Sequence, residues 1–190
     1  MKKLSPYQTL SSRIAWSCPW YSVRQDEIIT PDGRHGVYNT VVKEDAVWIV
    51  PVTAAGEIVL IYNYRYTVDD WFWEIPAGSV KPGQTLEEAA RAELREEIGG
   101  QAALFTCIGK IYTANGICNE TSHFFLATGV SLGETAQEST EVLEIHPMPI
   151  PEALRMARAG EISDGPSALA LFLCEKQLWA MAKIECRTSD

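Results

Sequence analysis

Thr85-Leu86-Glu87-Glu88-Ala89-Ala90-Arg91-Ala92-Glu93-Leu94-Arg95-Glu96-Glu97-Ile98-Gly99-Gly100 reads as a helix that carries its charge in an unfavourable place. Leu86, Ala90, Leu94 and Ile98 recur every four residues and form one apolar stripe. Thr85 is a good N-cap, Glu88 completes a capping box, and Gly99-Gly100 stops the helix. Glu93, Glu96 and Glu97 are spaced i, i+3, i+4, so three carboxylates share one face. At that spacing like charges repel by about 0.2–0.5 kcal/mol a pair. They also crowd the helix C-terminus, where the macrodipole favours cations. A divalent cation reverses the sign of both effects. Clustered hard oxygen ligands point to Mg2+ or Mn2+ rather than zinc. A solvated glutamate-rich face is the plainer reading of the helix alone; what flanks it shifts the balance.

Upstream lies Glu74-Ile75-Pro76-Ala77-Gly78, then a Gly- and Pro-rich loop, Ser79–Gly83. Strand, loop and carboxylate helix in close succession make a compact cage, in which a backbone carbonyl can join the side chains. The preceding chain reads as short β runs between turn residues: Trp20–Val23, Gly36–Val42 after the Pro31-Asp32-Gly33 turn, Ala46–Val52, Ile58–Tyr66 and Trp71–Ile75. Ala46–Val52 is almost wholly apolar, as in a strand buried on both faces. Residues 1–18 are polar and predicted irregular. Downstream, strands are predicted at Leu104–Tyr112, Ser122–Ala127 and Glu141–Ile145, and helices at Pro151–Ala159 and Pro166–Lys183. Many strands, one central helix and two closing helices make an α+β fold or three-layer sandwich, not a βαβ repeat.

A chain of 190 residues fits one domain with a small appendage, and 46% apolar residues supply a sizeable core. Sixteen Lys and Arg against 25 Asp and Glu give a formal charge of −9. That balance argues against nucleic acid as a partner, since such binding rests on Lys and Arg releasing phosphate counterions. It argues equally against docking on an anionic membrane. A small phosphate substrate is still compatible, provided a cation lies between it and the protein. No apolar run approaches the ~20 residues of a membrane span, and Met1-Lys2-Lys3 is followed by no apolar signal region. Cys18, Cys107, Cys118, Cys174 and Cys186 are odd in number and widely spaced, which reads as reduced thiols in a cytoplasmic protein. His35, His123 and His146 form no nucleophile–base pattern.

Gly78-(x5)-Gln84-(x7)-Ala92-Glu93-Leu94-Arg95-Glu96-Glu97-Ile98-Gly99 resembles the Nudix box, G-x5-E-x7-R-E-U-x-E-E-x-G-U, where U is aliphatic. Gly78, Glu93, Leu94, Glu96, Glu97 and Gly99 match at the right spacing. Asn63-Tyr64-Arg65 with Glu74–Gly78 is similar to the Q-Y-R…E-x-P-A-G pattern of the ADP-ribose and nucleoside-diphosphate-sugar pyrophosphatase branch, as is Gly160-Glu161-Ile162-Ser163-Asp164. The resemblance implies a Nudix-type α/β/α sandwich with mixed sheets, a central metal-binding helix and an N-terminal β segment. It divides the chain into residues 1–43 and 44–190. The box departs from its pattern at Gln84, Ala92 and Gly100. In the family the arginine at the position of Ala92 helps hold the carboxylates, which alanine cannot do. Arg91 is better placed to pair with Glu87, four residues back.

The same resemblance implies hydrolysis of the diphosphate bond of ADP-ribose or a related nucleoside-diphosphate sugar, giving a nucleoside monophosphate and a sugar phosphate. Glu93, Glu96 and Glu97 would hold Mg2+ or Mn2+, with the Ala77 carbonyl as a further ligand, and Glu97 would serve catalysis directly. Arg65 would touch phosphate, pair with Glu74, or do both. Glu120 matches a glutamate that the branch uses near its substrate. A general base is expected from the loop Gly133–Glu144, which holds Glu134, Glu138, Glu141 and Glu144; Glu141, where loop becomes strand, is the choice. Trp20 and Tyr21 are placed to stack on the nucleobase, in a segment that in this branch reaches across a homodimer. Trp71 and Trp73 are alternatives for stacking. Two other readings stay open: a Nudix-fold binding or regulatory module with impaired catalysis, and a Nudix enzyme for another nucleoside diphosphate derivative.

Overall fold

A computed structural model describes residues 4–137 and 142–188 of the chain, and side chains as far as residue 182. The chain divides into two compact units. The first holds residues through Asp45 together with Tyr112–Thr121, and the second holds Ala46–Ile111 and residues from Ser122 onward.

The first unit is built on an antiparallel sheet of β1 (Gln8–Ser17), β2 (Ser22–Ile29) and β3 (His35–Val42), in that order. Here the expectation of an irregular N-terminus is corrected, because Gln8–Ser17 is a ten-residue strand. All ten residues are exposed, so neither face enters a core, and Leu10, Ile14 and Trp16 stand dispersed among polar residues. Pairing with β2 makes the strand. The run seen at Trp20–Val23 likewise starts later, at Ser22. The turn at Pro31–Gly33 is as expected: Gly33 sits at φ 84 and donates its N–H to the Thr30 carbonyl.

The second unit is a mixed seven-stranded sheet between helices. Its strands are β4 (Ala46–Thr53), β5 (Glu57–Arg65), β6 (Asp70–Glu74), β7 (Ala77–Ser79), β8 (Leu104–Tyr112), β9 (Thr121–Val130) and β10 (Leu143–Pro149). The main order is β10-β5-β4-β9-β8, with β6 on β5 and β7 on β4. β4 and β9 run parallel, whereas β4–β5, β5–β6, β4–β7 and β5–β10 are antiparallel. Period two sorts the apolar side chains onto both faces. Val50, Val52, Ile58, Leu60, Phe124 and Leu126 enter one core, with α2 (Ile150–Ala159), α3 (Gly165–Leu173) and α4 (Glu175–Thr188). Val47, Ile49, Val59, Ile61, Phe125 and Ala127 enter the other, against α1 (Leu86–Ile98). This is the α/β/α sandwich the sequence implied.

The single closing helix expected over Pro166–Lys183 is two helices, α3 and α4, broken at Cys174 (φ −106°, ψ 11°). No Gly or Pro marks the break. It lets Ala170, Leu171 and Leu178 reach one core, and the buried Cys174 thiol donates back to the Ala170 carbonyl at 3.2 Å.

Candidate active site

β4 and β5 meet at Val52 and Ile58 and then separate. β5 is continued by β6, up to the Ile61–Glu74 pair, while β7 pairs with β4 at Trp48–Ala77, Val47–Gly78 and Ala46–Ser79. Ile75 and Pro76 therefore cross from one strand pair to the other. The Pro76 carbonyl accepts from Ile49 N–H at 2.9 Å, which fixes the crossing on β4. Because Pro76 faces β4, ladder alternation turns the Ala77 N–H and carbonyl away from β4 and toward α1.

α1 meets that backbone with its carboxylates. Its start is the capping box read from sequence: Thr85 Oγ1 accepts from Glu88 N–H at 3.2 Å, and Glu88 Oε2 accepts from Thr85 N–H at 2.7 Å. Ala89, Ala90, Leu94 and Ile98 are buried, which turns Glu93 and Glu97 onto β7. Glu97 is 5% exposed, and its Oε2 accepts from Ala77 N–H at 3.0 Å. Glu93 lies against Gly78 so closely that a Cβ there would stand 2.1 Å from its carboxylate carbon. Only glycine leaves that space. Glu96 reaches toward Lys81, with 3.8 Å between Nζ and Oε2. Among the described residues no three Asp, Glu, His or Cys side chains converge on one point. Glu93 and Glu97 are held on β7 while Glu96 leans to Lys81, and so weak a surface pair yields easily to a stronger charge.

The C-terminus of α1 has partners that the sequence did not reveal. Gly99, at φ 64, donates to the Arg95 carbonyl, and Gly100 N–H returns to Leu94 O. The segment after β9 then lies across the helix end. Gly133 N–H donates to Gly99 O at 2.9 Å, Ala136 N–H to Glu96 O at 3.0 Å, and the Gln137 side-chain amide to Glu97 O at 3.0 Å. These donors satisfy carbonyls the helix leaves open, beside the very glutamates the macrodipole disfavours.

The departures from the box have local explanations. A Cβ on Gly100 would lie 2.8 Å from Leu94 Cγ, so Leu94 already fills the space an aliphatic residue would take. Gln84 and Ala92 line one surface hollow, with Arg91 and Arg95 beside them. Gln84 Oε1 accepts from Lys81 N–H at 3.0 Å, a loop contact that needs no charge. Arg91 pairs with Glu87 at 2.7 Å, as its spacing implied, and lies over the Phe105 ring.

On the other flank Arg65 forks onto Glu74, with Nε–Oε1 at 2.8 Å and a second nitrogen 2.5 Å from Oε2. The Glu74 side chain is 3% exposed and also accepts from Asn63 Nδ2. The bond to Glu74 holds the Arg65 guanidinium above its ordinary pKa, against burial; the charges of Glu74, Glu97 and Asp164 add to this. Arg65 is thus bonded to Glu74 and feels the charge of Glu97 and Asp164 besides. Alternation places Phe72, opposite Asn63, on this same face, and it is half-buried. Trp71 and Trp73 occupy the reverse face, Trp71 stacked on Tyr62 with centroids 5.3 Å apart and Trp73 tilted against it at 4.7 Å, and Trp73 packs on the α2–α4 core. Phe72 was not singled out from sequence, because which face a β residue takes depends on a register no local pattern gave.

The second unit therefore brings together Arg65, Glu74, Ala77, Glu93, Glu96 and Glu97. Trp20, Tyr21 and Glu120 belong to the first unit. Trp20 is 78% exposed, and Tyr21 packs on Trp16 with centroids 5.3 Å apart. Glu120 is buried, and its two oxygens meet Lys43 Nζ at 2.6 Å and Thr113 Oγ1 at 2.7 Å. Glu138 and Glu141 lie outside the described residues; Glu144 is in β10, next to His146.

Residues 42–168 match the NUDIX domain family, and residues 7–41 match the nucleoside diphosphate sugar hydrolase N-terminal domain. An ADP-ribose pyrophosphatase of Bacillus subtilis (strain 168) is 30% identical over 148 residues, 77% of this chain and 80% of that protein. An ADP-ribose pyrophosphatase of Mycobacterium tuberculosis (strain ATCC 25618 / H37Rv) is 32% identical over 160 residues, 82% of this chain and 77% of that protein. A crystal structure of an ADP compounds hydrolase shares the fold, with a TM-score of 0.81 at 21% identity, over 95% of this chain and 98% of that one. With a family match over most of its length, a box helix seated on its glycine and this sandwich around it, the chain belongs to the Nudix family and is a Nudix hydrolase.

Proposed function

We propose that this enzyme uses Mg2+ or Mn2+ to hydrolyse the diphosphate bond of ADP-ribose or a related nucleoside-diphosphate sugar, yielding a nucleoside monophosphate and a sugar phosphate. The observation that carries this is the seating of two box carboxylates on one short strand: Glu97 on the Ala77 amide and Glu93 over the bare Cα of Gly78. Such a cradle keeps hard oxygen donors side by side, and its donor set suits a hard divalent cation. The pyrophosphatase relatives support the substrate class.

Glu93, Glu96 and Glu97 would hold the metal, with the Ala77 carbonyl as a further ligand. The metal when bound neutralises diphosphate charge and acidifies the attacking water. The chain's own residues do the rest. Ala77 N–H fixes the orientation of the Glu97 carboxylate. Glu74 holds the Arg65 fork in one orientation; with a side chain 46% exposed, Arg65 can still present an N–H to a phosphate oxygen. Glu141 is our assignment for the general base, and Glu120 for a substrate contact. Trp20 and Tyr21 are our assignments for stacking on the nucleobase, and Phe72 offers an aromatic surface on the face that carries Arg65.

We also infer a homodimer formed through the N-terminal segment. β1 has no second neighbour among the described residues, and Leu10, Ile14 and Trp16 on it are exposed. A long, apolar-bearing edge strand invites a partner. We place the protein in the cytoplasm on its five widely spaced cysteines, a pattern of reduced thiols.

The test is a screen of ADP-ribose, other nucleotide sugars, dinucleotides and nucleoside triphosphates with Mg2+ or Mn2+, scored for phosphate products. Turnover of ADP-ribose or a nucleotide sugar in preference to the rest supports the reading. No products from either, with the protein folded and metal present, overturns it.

A further inference from the structure

We propose that Ser167 and Asp164 are positioning residues for the site, holding the Glu74–Ala77 crossing through the N-terminus of α3. Ile75 is fully buried between two strand pairs, where its N–H can find no ladder partner. Ser167 Oγ accepts that N–H at 3.1 Å, from 92 residues away. The same hydroxyl donates to Asp164 Oδ2 at 2.5 Å, and Asp164 Oδ2 also accepts from Ser167 N–H at 2.9 Å. Ser167 has no exposed surface. Capping α3 requires only the bond from Ser167 N–H to Asp164; the hydroxyl reaches beyond the helix to another element.

What it reaches is the residue between two anchors. Glu74, one residue before Ile75, holds Arg65. Ala77, two residues after, holds Glu97. Pro76 between them has no N–H, so the Ser167 bond and the Pro76 carbonyl on Ile49 set how the crossing hangs. Asp164 aims the hydroxyl and adds its charge at Arg65. A shift of Ile75 would tilt the Arg65 fork and the Glu97 seat together.

The inference rests on the metal reading of Glu93, Glu96 and Glu97, so its test includes a measurement that needs neither metal nor substrate. Amide hydrogen exchange is resolved at Ile75 and Ala77 in wild type, Ser167→Ala, Asp164→Asn and Asp164→Ala. Mn2+ affinity and ADP-ribose turnover are measured on the same samples. Ser167→Ala and Asp164→Ala speed exchange at both amides about tenfold. They weaken Mn2+ binding by roughly 10-fold, as for other groups that orient metal ligands. They also lower kcat more than they raise KM. Asp164→Asn keeps the acceptor and stays within about threefold of wild type on each measure. Should Ser167→Ala not fold, Asp164→Ala at its half-buried position decides alone. Unchanged exchange at Ala77 and unchanged Mn2+ affinity, with only the thermal midpoint lowered, overturn the proposal. If wild type binds Mn2+ but leaves ADP-ribose intact, the substrate assignment fails and the exchange and Mn2+ measurements still decide the positioning role.

Discussion

The Glu97 carboxylate takes the Ala77 amide at 3.0 Å, a bond spanning 20 residues that joins the box helix to the strand opening the box. The carboxylate thus has a structural bond besides its proposed metal role, and Glu97→Gln separates the two. The glutamine carbonyl can still accept the Ala77 N–H, so stability should change by no more than about 1 kcal/mol. With Glu97 a metal ligand, as proposed, the lost charge should lower kcat/KM by roughly 100-fold or more. Thermal melts and steady-state kinetics on the active nucleotide sugar check both halves. Wild-type rates in this variant would remove Glu97 from the metal site.

The two box glycines should fail in different ways. At Gly78 an added Cβ meets the end of a flexible side chain, Glu93, which can swing away. Gly78→Ala should therefore cost activity through a displaced carboxylate, with only a small loss of thermal midpoint. At Gly99 an added Cβ stands 2.3 Å from the Gly133 carbonyl oxygen, and the residue has φ +64°. Backbone cannot swing away, and the left-handed conformation itself costs about 1 kcal/mol for alanine. Gly99→Ala should lose roughly 1–3 kcal/mol of stability. Denaturant melts set beside kcat for the pair give the comparison, and equal stability losses would contradict it.

Gln84 and Ala92 face one hollow, which predicts that their substitutions are coupled. Ala92→Arg alone stands four residues from both Glu88 and Glu96 and three from Arg95, so favourable and unfavourable pairs partly offset and stability should change by no more than about 0.5 kcal/mol. Gln84→Glu supplies a further opposite charge. The double variant should be more stable than the sum of the singles predicts, with a coupling of about 0.2–1 kcal/mol favouring the pair. A double-mutant cycle on unfolding free energy measures it, and strict additivity would show that the two side chains do not meet.

What could be read from the sequence was whatever local chemistry decides. Thr85 and Glu88 make their capping box, Gly99 ends the helix, Ala46–Val52 is buried on both faces, and Arg91 pairs with Glu87. Glu93 and Glu97 were placed on one face by helical period alone, and the structure seats both on β7. What escaped depends on contacts between distant segments. β1 buries neither face, so its few apolar residues announce no core strand. Trp71 and Trp73 could not be assigned a side of the sheet without the β5–β6 register. Asp164 caps α3, and nothing local tells that Ser167 bonds Ile75. Gln137 reaches Glu97 across 40 residues, in a segment whose own composition suggested only an acidic loop.

The capping box also sets a pH dependence. Hydrogen bonds from the Thr85 backbone and then the Thr85 hydroxyl hold the Glu88 carboxyl below its ordinary value of 4.5. A depressed folded pKa stabilises the native state above the unfolded value, and the stabilisation disappears as pH falls through the folded value. Glu88→Gln keeps an acceptor for the box and removes the titration. The wild type should therefore exceed this variant in thermal midpoint by a constant margin at neutral pH. The margin should narrow below pH 4.5 and close once Glu88 is protonated. Because the group is exposed the effect is small, so paired melts across a pH series, read as differences, are the appropriate measurement. A margin that widens toward acid pH would mean that Glu88 is not stabilised as a carboxylate by Thr85.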